Sequence, residues 1–347
     1  MRIDLALVGF GNVARRFVRL LDEQRHRLAA EEDLEHRIVG IATRRHGAIH
    51  QADGVDAGLA VRHVEAGRRL DEIAPANVTN AFQVIAALAL SSAPLRVVIE
   101  TTTLDIRNGR PAIDHVEAAL ASGCHLVTAN KGPAAFAYAD LREQAKREGL
   151  SFLFEGAVMD GVPIFNLVRE TMPTTTITAF RGIVNSTTNH ILSALERGEA
   201  FAPALARMQA LGIAEANPSL DVDGWDAAAK AAALANVFMD ARITPQDVVR
   251  EGLGPTTSER ALSAKARGQR LRLVASGVRG QMPSVALTEL PPDDVLAGMS
   301  GQANGVILTT DMLDDIAISQ LGGDLRHTAY ALLSDLVTVR RRAGASR

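Results

Sequence analysis

Asp226 and Lys230 stand four residues apart in the run WDAAAK, at the start of an alanine-rich stretch. On a helix that spacing puts both side chains on one face, and an acid in the first turn suits the helix dipole. The segment leading to them carries three more carboxylates, Glu215, Asp221 and Asp223. That much negative charge in one loop fits a bound cation or an amino group. The plainer alternative is an exposed ion pair, worth about 0.5 kcal/mol or less.

Two further segments have residues suited to chemistry. In VTANKGP, Lys131 directly follows an apolar strand and precedes a Gly-Pro pair. It therefore lies at the carboxyl end of a sheet, where open α/β folds bind their ligands; a solvated loop lysine is the alternative. In FEGAVMDGVP, Glu155 ends a strand and a glycine-broken loop follows. Such a loop can turn carbonyl oxygens inward, toward a hard monovalent or divalent cation. An irregular loop with a solvated Glu155 reads equally well.

Near the N-terminus, Gly9-Phe10-Gly11-Asn12-Val13-Ala14 separates an apolar run from a helical pattern. The first glycine permits a tight turn, and the second lets the backbone approach a pyrophosphate. Alanine takes the third position, where strand and helix pack closely. The helix start then offers free N–H groups and a positive dipole end to phosphates. The next strand ends in Ala42-Thr43-Arg44-Arg45-His46, without the acid that would bond a ribose hydroxyl. Arg44 and its neighbour could instead hold a 2′-phosphate. NADP(H) is therefore expected ahead of NAD(H), the alternative being arginines that touch nothing.

These groups must be positioned by regular elements. Ile3 to Val8, Arg37 to Ala42, Leu95 to Ile99, His125 to Thr128 and Phe152 to Phe154 read as strands alternating with helices. The expected class is α/β, with a Rossmann-type doubly wound parallel sheet over residues 1–150. Beyond it, Thr176 to Val184, Arg270 to Ser276, Ser284 to Thr288, Gly305 to Thr310 and Ile316 to Gln320 read as strands without regular helices between them. Asp226 to Asn236 is the one helical interruption. Residues 151–320 are thus expected to form a second, α+β domain, and the helical tail from Arg326 to Arg340 to return to the first.

Bulk composition sets bounds on the fold and on the partners. The 347 residues suggest two domains or one large one; 47% are apolar, enough for a sizeable core, and the net charge of −3 comes from interspersed charges of both signs. Neither a nucleic-acid nor a membrane surface is indicated. The N-terminal apolar run is too short to span a bilayer and lacks a cleavage site. The single cysteine, Cys124, cannot form an internal disulfide, and a reducing cytoplasm suits it.

Taken together, GFGNV, VTANKGP, FEGAVMDGVPIFN, FRGIVNSTTNHIL, LGIAEANPSLDVDGWDAAAK and the weaker TAYALLSDL resemble the homoserine dehydrogenases, in order along nearly the whole chain. The resemblance implies interconversion of homoserine and aspartate 4-semialdehyde with NADP or NAD, in threonine, methionine and isoleucine biosynthesis. It implies a homodimer built on a catalytic and dimerisation domain, and a Rossmann domain completed by residues 321–347. It makes Lys230 the proton donor and acceptor, and Lys131 a second lysine where cofactor and substrate meet. Glu215, Asp221 and Asp226 become substrate-binding carboxylates, with Thr187 nearby. Gly212 approaches the nicotinamide end. Glu155, with the carbonyls of Val158, Asp160 and Val162, resembles a sodium site.

The chain departs from the family pattern in places. The family's glycine-rich stretch before the last helix reads Gly322-Gly323-Asp324-Leu325-Arg326-His327 here, with Gly323 the position for a C-terminal cofactor contact. Asn185-Ser186 replaces a more usual Asn-Gly. No threonine-sensing domain is expected. The rival readings are a related semialdehyde or amino-acid dehydrogenase, or a non-catalytic dinucleotide sensor. A phosphorylating semialdehyde enzyme needs a cysteine nucleophile, and Cys124, beside Gly123 at a strand start, reads as a packed thiol. Lys131, Asp226 and Lys230 argue against a mere sensor.

Overall fold

The computed structural model describes residues 1–75, 77–210 and 218–345. The run IDLALV forms most of strand β1 (Arg2–Val8), and every residue from Ile3 onward is buried. Burial on both faces is what a parallel strand flanked by helices requires. Asp4 tolerates it because Arg37 donates two bonds to its carboxylate, at 3.0 and 2.7 Å, and the Ser91 hydroxyl donates another.

Strands β2 (Glu35–Thr43), β3 (Gly47–His50), β4 (Leu95–Glu100), β5 (His125–Thr128) and β6 (Phe152–Leu153) join β1 in the order β3-β2-β1-β4-β5-β6. Neighbours run parallel except β3, which pairs antiparallel with β2. The five strands read from the sequence thus form the expected parallel sheet, and β3 adds one antiparallel edge strand to it. Only Arg44, Arg45 and His46 separate β2 from β3, whereas a parallel crossover takes a dozen or more residues. A hairpin is the one connection so short a segment permits.

Two units emerge from the packing. One takes in Met1–Pro133, Ala139–Phe165 and Asp324–Arg347; the other takes in Ala134–Tyr138 and Asn166–Gly323. In the first unit, the helix Leu325–Ala345 packs along the helix Asn12–Glu23. Its Ala329, Leu332, Leu336 and Val339 share one core with Phe17, Leu21, Ile3, Leu5 and Leu7. Each such leucine contributes about 1.5–3 kcal/mol by its burial.

The second unit is built on β7 (Ile177–Ile183), β8 (Val249–Arg250), β9 (Arg270–Val278), β10 (Ser284–Leu290), β11 (Asn304–Thr310) and β12 (Asp315–Gln320). Their order is β12-β11-β7-β9-β10-β8, antiparallel apart from the β10–β8 pair. The sequence reading left too few helices here. Helices Ser186–Leu195, Phe201–Ala210 and Thr257–Ala266 stand beside Trp225–Met239, and all but Phe201–Ala210 pack on β9. The first opens on Ser-Thr-Thr-Asn, poor helix formers that hid it. Its N-terminus is secured by Asn185, whose side chain accepts the Thr188 N–H at 2.8 Å. Among the described residues no helix is long and apolar enough to cross a membrane.

Candidate functional site

At the carboxyl end of β1, Gly9 has a φ of +88°, and a Cβ there would lie 2.6–2.8 Å from backbone atoms of Thr101 and Thr102. Only glycine fits. Thr101 closes the turn, its N–H donating to Val8 O at 2.7 Å and its hydroxyl to Gly9 O at 3.1 Å. Around Gly11 the opposite holds, since a Cβ would meet nothing within 4 Å. Gly11 heads the helix Asn12–Glu23 without any side-chain cap, and no acid occupies the first turn. No side chain caps the N–H groups of the first turn, which Asn12 and Val13 begin, while Ala14 is fully buried against the sheet. An uncapped helix start beside a glycine with open space around it fits a dinucleotide's pyrophosphate.

Arg44 and Arg45 occupy the β2–β3 turn, both exposed. The Thr43 hydroxyl oxygen accepts the N–H groups of Arg45 and His46 at 3.1 and 3.0 Å and so fixes the turn. Among the described residues no carboxylate pairs with either guanidinium, whereas Arg15, Arg16, Arg19 and Arg37 of the same unit all have acidic partners.

Lys131 begins the helix Lys131–Phe136 and is half-buried. The turn before it is hydrogen-bonded throughout. Asn130 N–H donates to the Thr128 hydroxyl oxygen at 2.9 Å, and Asn130 Oδ1 accepts the Gly132 N–H at 2.8 Å. Beneath them lies Glu100, the last residue of β4, which the sequence reading passed over. Its only signal was a carboxylate ending the apolar run VVIE.

The loop after β6 folds back within the first unit. Glu155 is buried; its N–H donates to Asp335 Oδ2 and its Oε1 accepts the Phe165 N–H, both at 2.8 Å. Val158 and Val162 are buried, and Asp160 takes a left-handed φ of +49°. The Val162 carbonyl accepts the Ile164 N–H, while those of Val158 and Asp160 accept no backbone hydrogen bond among the described residues. The loop rests on the helix Leu325–Ala345: a Cβ on Gly161 would reach His327 O at 2.8 Å. Among the described residues no group of three or more His, Cys, Asp or Glu could hold a metal. A cation here would take carbonyl oxygens together with the Glu155 carboxylate.

In the second unit, the helix Trp225–Met239 places Asp226 and Lys230 together at 3.1 Å, with side chains only 15% and 13% exposed. That burial disposes of the exposed-pair reading. Six of the alanines between Ala227 and Ala233 are buried, so the helix sits deep in its unit. Lys230 Nζ also donates to Val184 O at 2.5 Å, just beyond the end of β7. The next residue, Asn185, donates from one nitrogen to both Asp221 Oδ1 at 2.7 Å and Asp226 Oδ2 at 2.8 Å. Asp226 Oδ2 is thus shared between the Lys230 ammonium and the Asn185 amide. Thr187 is buried two residues on.

Gly212 and Glu215 lie outside the described residues. Gly323 closes the second unit's segment, and Asp324, capping the final helix, accepts the Arg326 N–H at 2.8 Å. Cys124 is fully buried, and burial, opposed by Arg96, pushes its thiol up to about 11.

The family described as "Homoserine dehydrogenase, NAD binding domain" matches residues 9–155, and "Homoserine dehydrogenase" matches residues 163–337. A protein of Pseudomonas canavaninivorans named NAD(+)-dependent homoserine dehydrogenase is 32% identical over 343 residues, covering 98% of this chain and 96% of its own. A solved structure from Archaeoglobus fulgidus, assigned provisionally to the same enzyme, superimposes with a TM-score of 0.85 at 30% identity over 97% of this chain and 99% of that one. A hyperthermophilic archaeal homoserine dehydrogenase in complex with NADPH gives 0.81 at 26% identity, over 99% and 98%.

Proposed function

The chain belongs to the homoserine dehydrogenase family, and from that premise we propose how its residues divide the interconversion of L-homoserine and L-aspartate 4-semialdehyde. The dinucleotide supplies hydride to the aldehyde carbon, or takes it from the alcohol carbon. Everything else falls to the protein. Lys230 stabilises the oxygen that gains negative charge during reduction and gives it a proton. In oxidation the same nitrogen receives the hydroxyl proton. Asp226 and the Val184 carbonyl hold that nitrogen in place. Asp221, Asp226 and Glu215, with Thr187, bind the substrate, the carboxylates answering its ammonium group. Lys131 serves as the second lysine, at the meeting of cofactor and substrate.

Gly9, Gly11, Asn12 and Val13 hold the pyrophosphate, with Gly212 and Gly323 as further cofactor contacts. Arg44 takes the 2′-phosphate, which makes NADP(H) the preferred cofactor. Among the relatives one is named NAD(+)-dependent and one is in complex with NADPH; support for the reading in this chain is that Arg44 and Arg45 have no carboxylate partner among the described residues. Glu155, with the carbonyls of Val158, Asp160 and Val162, holds a sodium ion. The support is a buried carboxylate beside two carbonyls that accept no backbone bond among the described residues; hard cations take such oxygen donors. The enzyme acts as a homodimer in the cytoplasm, within threonine, methionine and isoleucine biosynthesis. Support for the dimer is the edge strand β12, exposed at alternate residues, with Met312 and Leu321 bare beside it.

One observation carries the catalytic reading: a nearly buried lysine whose ammonium is gripped by a carbonyl and a carboxylate. Oxidation of L-homoserine by NADP⁺, followed at 340 nm at alkaline pH, tests it. Lys230→Ala is expected to lower kcat by about 10²–10⁴-fold and KM far less. A folded variant with near-normal turnover would refute the assignment.

A further inference from the structure

Glu100 is completely buried at the carboxyl edge of the first sheet, and among the described residues no lysine or arginine pairs with it. Its partners are three donors. Oε1 accepts the Thr102 N–H at 2.8 Å and the Thr102 hydroxyl, and Oε2 accepts the Thr128 hydroxyl at 2.7 Å. An ionised carboxylate can only accept. In that state both hydroxyl protons point at Glu100, which leaves the hydroxyl oxygens free to accept in turn. Thr128 Oγ1 accepts the Asn130 N–H at 2.9 Å, and the Asn130 amide donates to Thr102 O at 2.9 Å while accepting the Gly132 N–H at 2.8 Å. The relay has one direction, and the backbone on both sides of Lys131 is bound into it.

The same carboxylate reaches the cofactor end. Thr101 and Thr102 form the shelf against which Gly9 packs with no room for a side chain. Burial pushes the Glu100 acid up from its ordinary value, and the bonds from Thr102 and Thr128 oppose that rise. A carboxyl kept in so costly a place, where an apolar side chain would pack more cheaply, points to something beyond packing.

We propose that Glu100 is a positioning residue for the reaction: as terminal acceptor of this relay it fixes the turn that presents Lys131. The proposal rests on the reading of Lys131 given above.

A double-mutant cycle on the full chain tests it, with kcat and KM for homoserine and NADP⁺ and a melting curve for every variant. Glu100→Gln puts a donor where the relay needs an acceptor and is expected to lower kcat/KM by about tenfold or more. In Glu100→Gln/Lys131→Ala, activity is expected to fall no further than in Lys131→Ala alone, because Glu100 acts through the lysine. Effects that multiply, or a Glu100→Gln variant within twofold of the parent, overturn the proposal. Should Glu100→Gln not fold, Thr128 decides. Thr128→Val, which loses the hydroxyl, should show the same loss, and Thr128→Ser should recover most of it; equal activity in the two overturns the relay. Lys131→Ala with full activity removes Lys131 from the reaction, a distinct failure that takes the proposal with it.

Discussion

Replacing Asn185 by Asp changes almost nothing in shape and reverses one function. The new side chain can still accept the Thr188 N–H and cap its helix, since Asp caps as well as Asn. What it loses is the nitrogen that donates to Asp221 at 2.7 Å and to Asp226 at 2.8 Å. In its place an acceptor oxygen faces two carboxylates. At an effective dielectric of about 20, like charges about 3 Å apart repel by about 5–6 kcal/mol. The side chains will move, or one will take up a proton, so the full penalty is not expected. The minimum is the loss of one hydrogen bond to a charged group, about 1.5–3 kcal/mol, and a second is lost with it. We expect kcat/KM for homoserine to fall by about 100-fold, equivalent to about 2.7 kcal/mol. Asn185→Ala removes the same donor without adding charge, so it should be the more active of the two despite losing the cap. The assay is steady-state oxidation of homoserine by both variants, with melting curves to establish folding. Asn185→Asp within threefold of the parent, or more active than Asn185→Ala, would refute the electrostatic reasoning.

Three other outcomes are expected. Arg44→Ala should lower the ratio of kcat/KM for NADP(H) over NAD(H) by about tenfold, the worth of a charge-assisted contact of about 1.4 kcal/mol; an unchanged ratio removes Arg44 from the cofactor site. Cys124→Ser should keep activity, and the native thiol should resist alkylation at neutral pH, because burial holds it up to about 11; loss of activity in a folded Cys124→Ser would revive thioester chemistry. Acid should destabilise the first unit. Burial depresses His36, His115 and His125 from 6.5 to about 4, with nearby arginines adding to the effect at His36 and His125. A folded state that binds fewer protons than the unfolded one loses stability as pH falls. The loss should therefore begin near 6.5 and run down to about 4, and melting temperatures flat across that range would count against it.

The parts of this fold that could be read in the sequence are those governed by local periodicity. IDLALV is apolar enough to fix β1, and the glycines after it mark the turn; WDAAAK fixes a helix and the shared face of Asp226 and Lys230. The helix Ser186–Leu195 was missed because its opening residues favour other conformations; the Asn185 cap and packing on β9 override them. The direction of β3 follows from a three-residue connection, a constraint of length and not of composition. Glu100, and the two carboxylate bonds of Asn185, were hidden for another reason. What distinguishes each is a partner brought close by the fold: Thr128 lies 28 residues from Glu100, and Asp221 and Asp226 lie 36 and 41 residues from Asn185. No window along the chain contains both ends of such a bond.

The helix Leu325–Ala345 supplies apolar residues to the core around β1 and a carboxylate to the loop at Glu155. A nascent chain that has emerged only as far as Phe165 has its whole first sheet yet lacks one wall of it. Phe17 and Leu21 would stay partly bare on the ribosome while Asn166–Gly323 of the second unit is synthesised, so the first half made becomes the last to finish folding. That order leaves a long interval in which chaperones or sticky neighbours can reach the exposed wall.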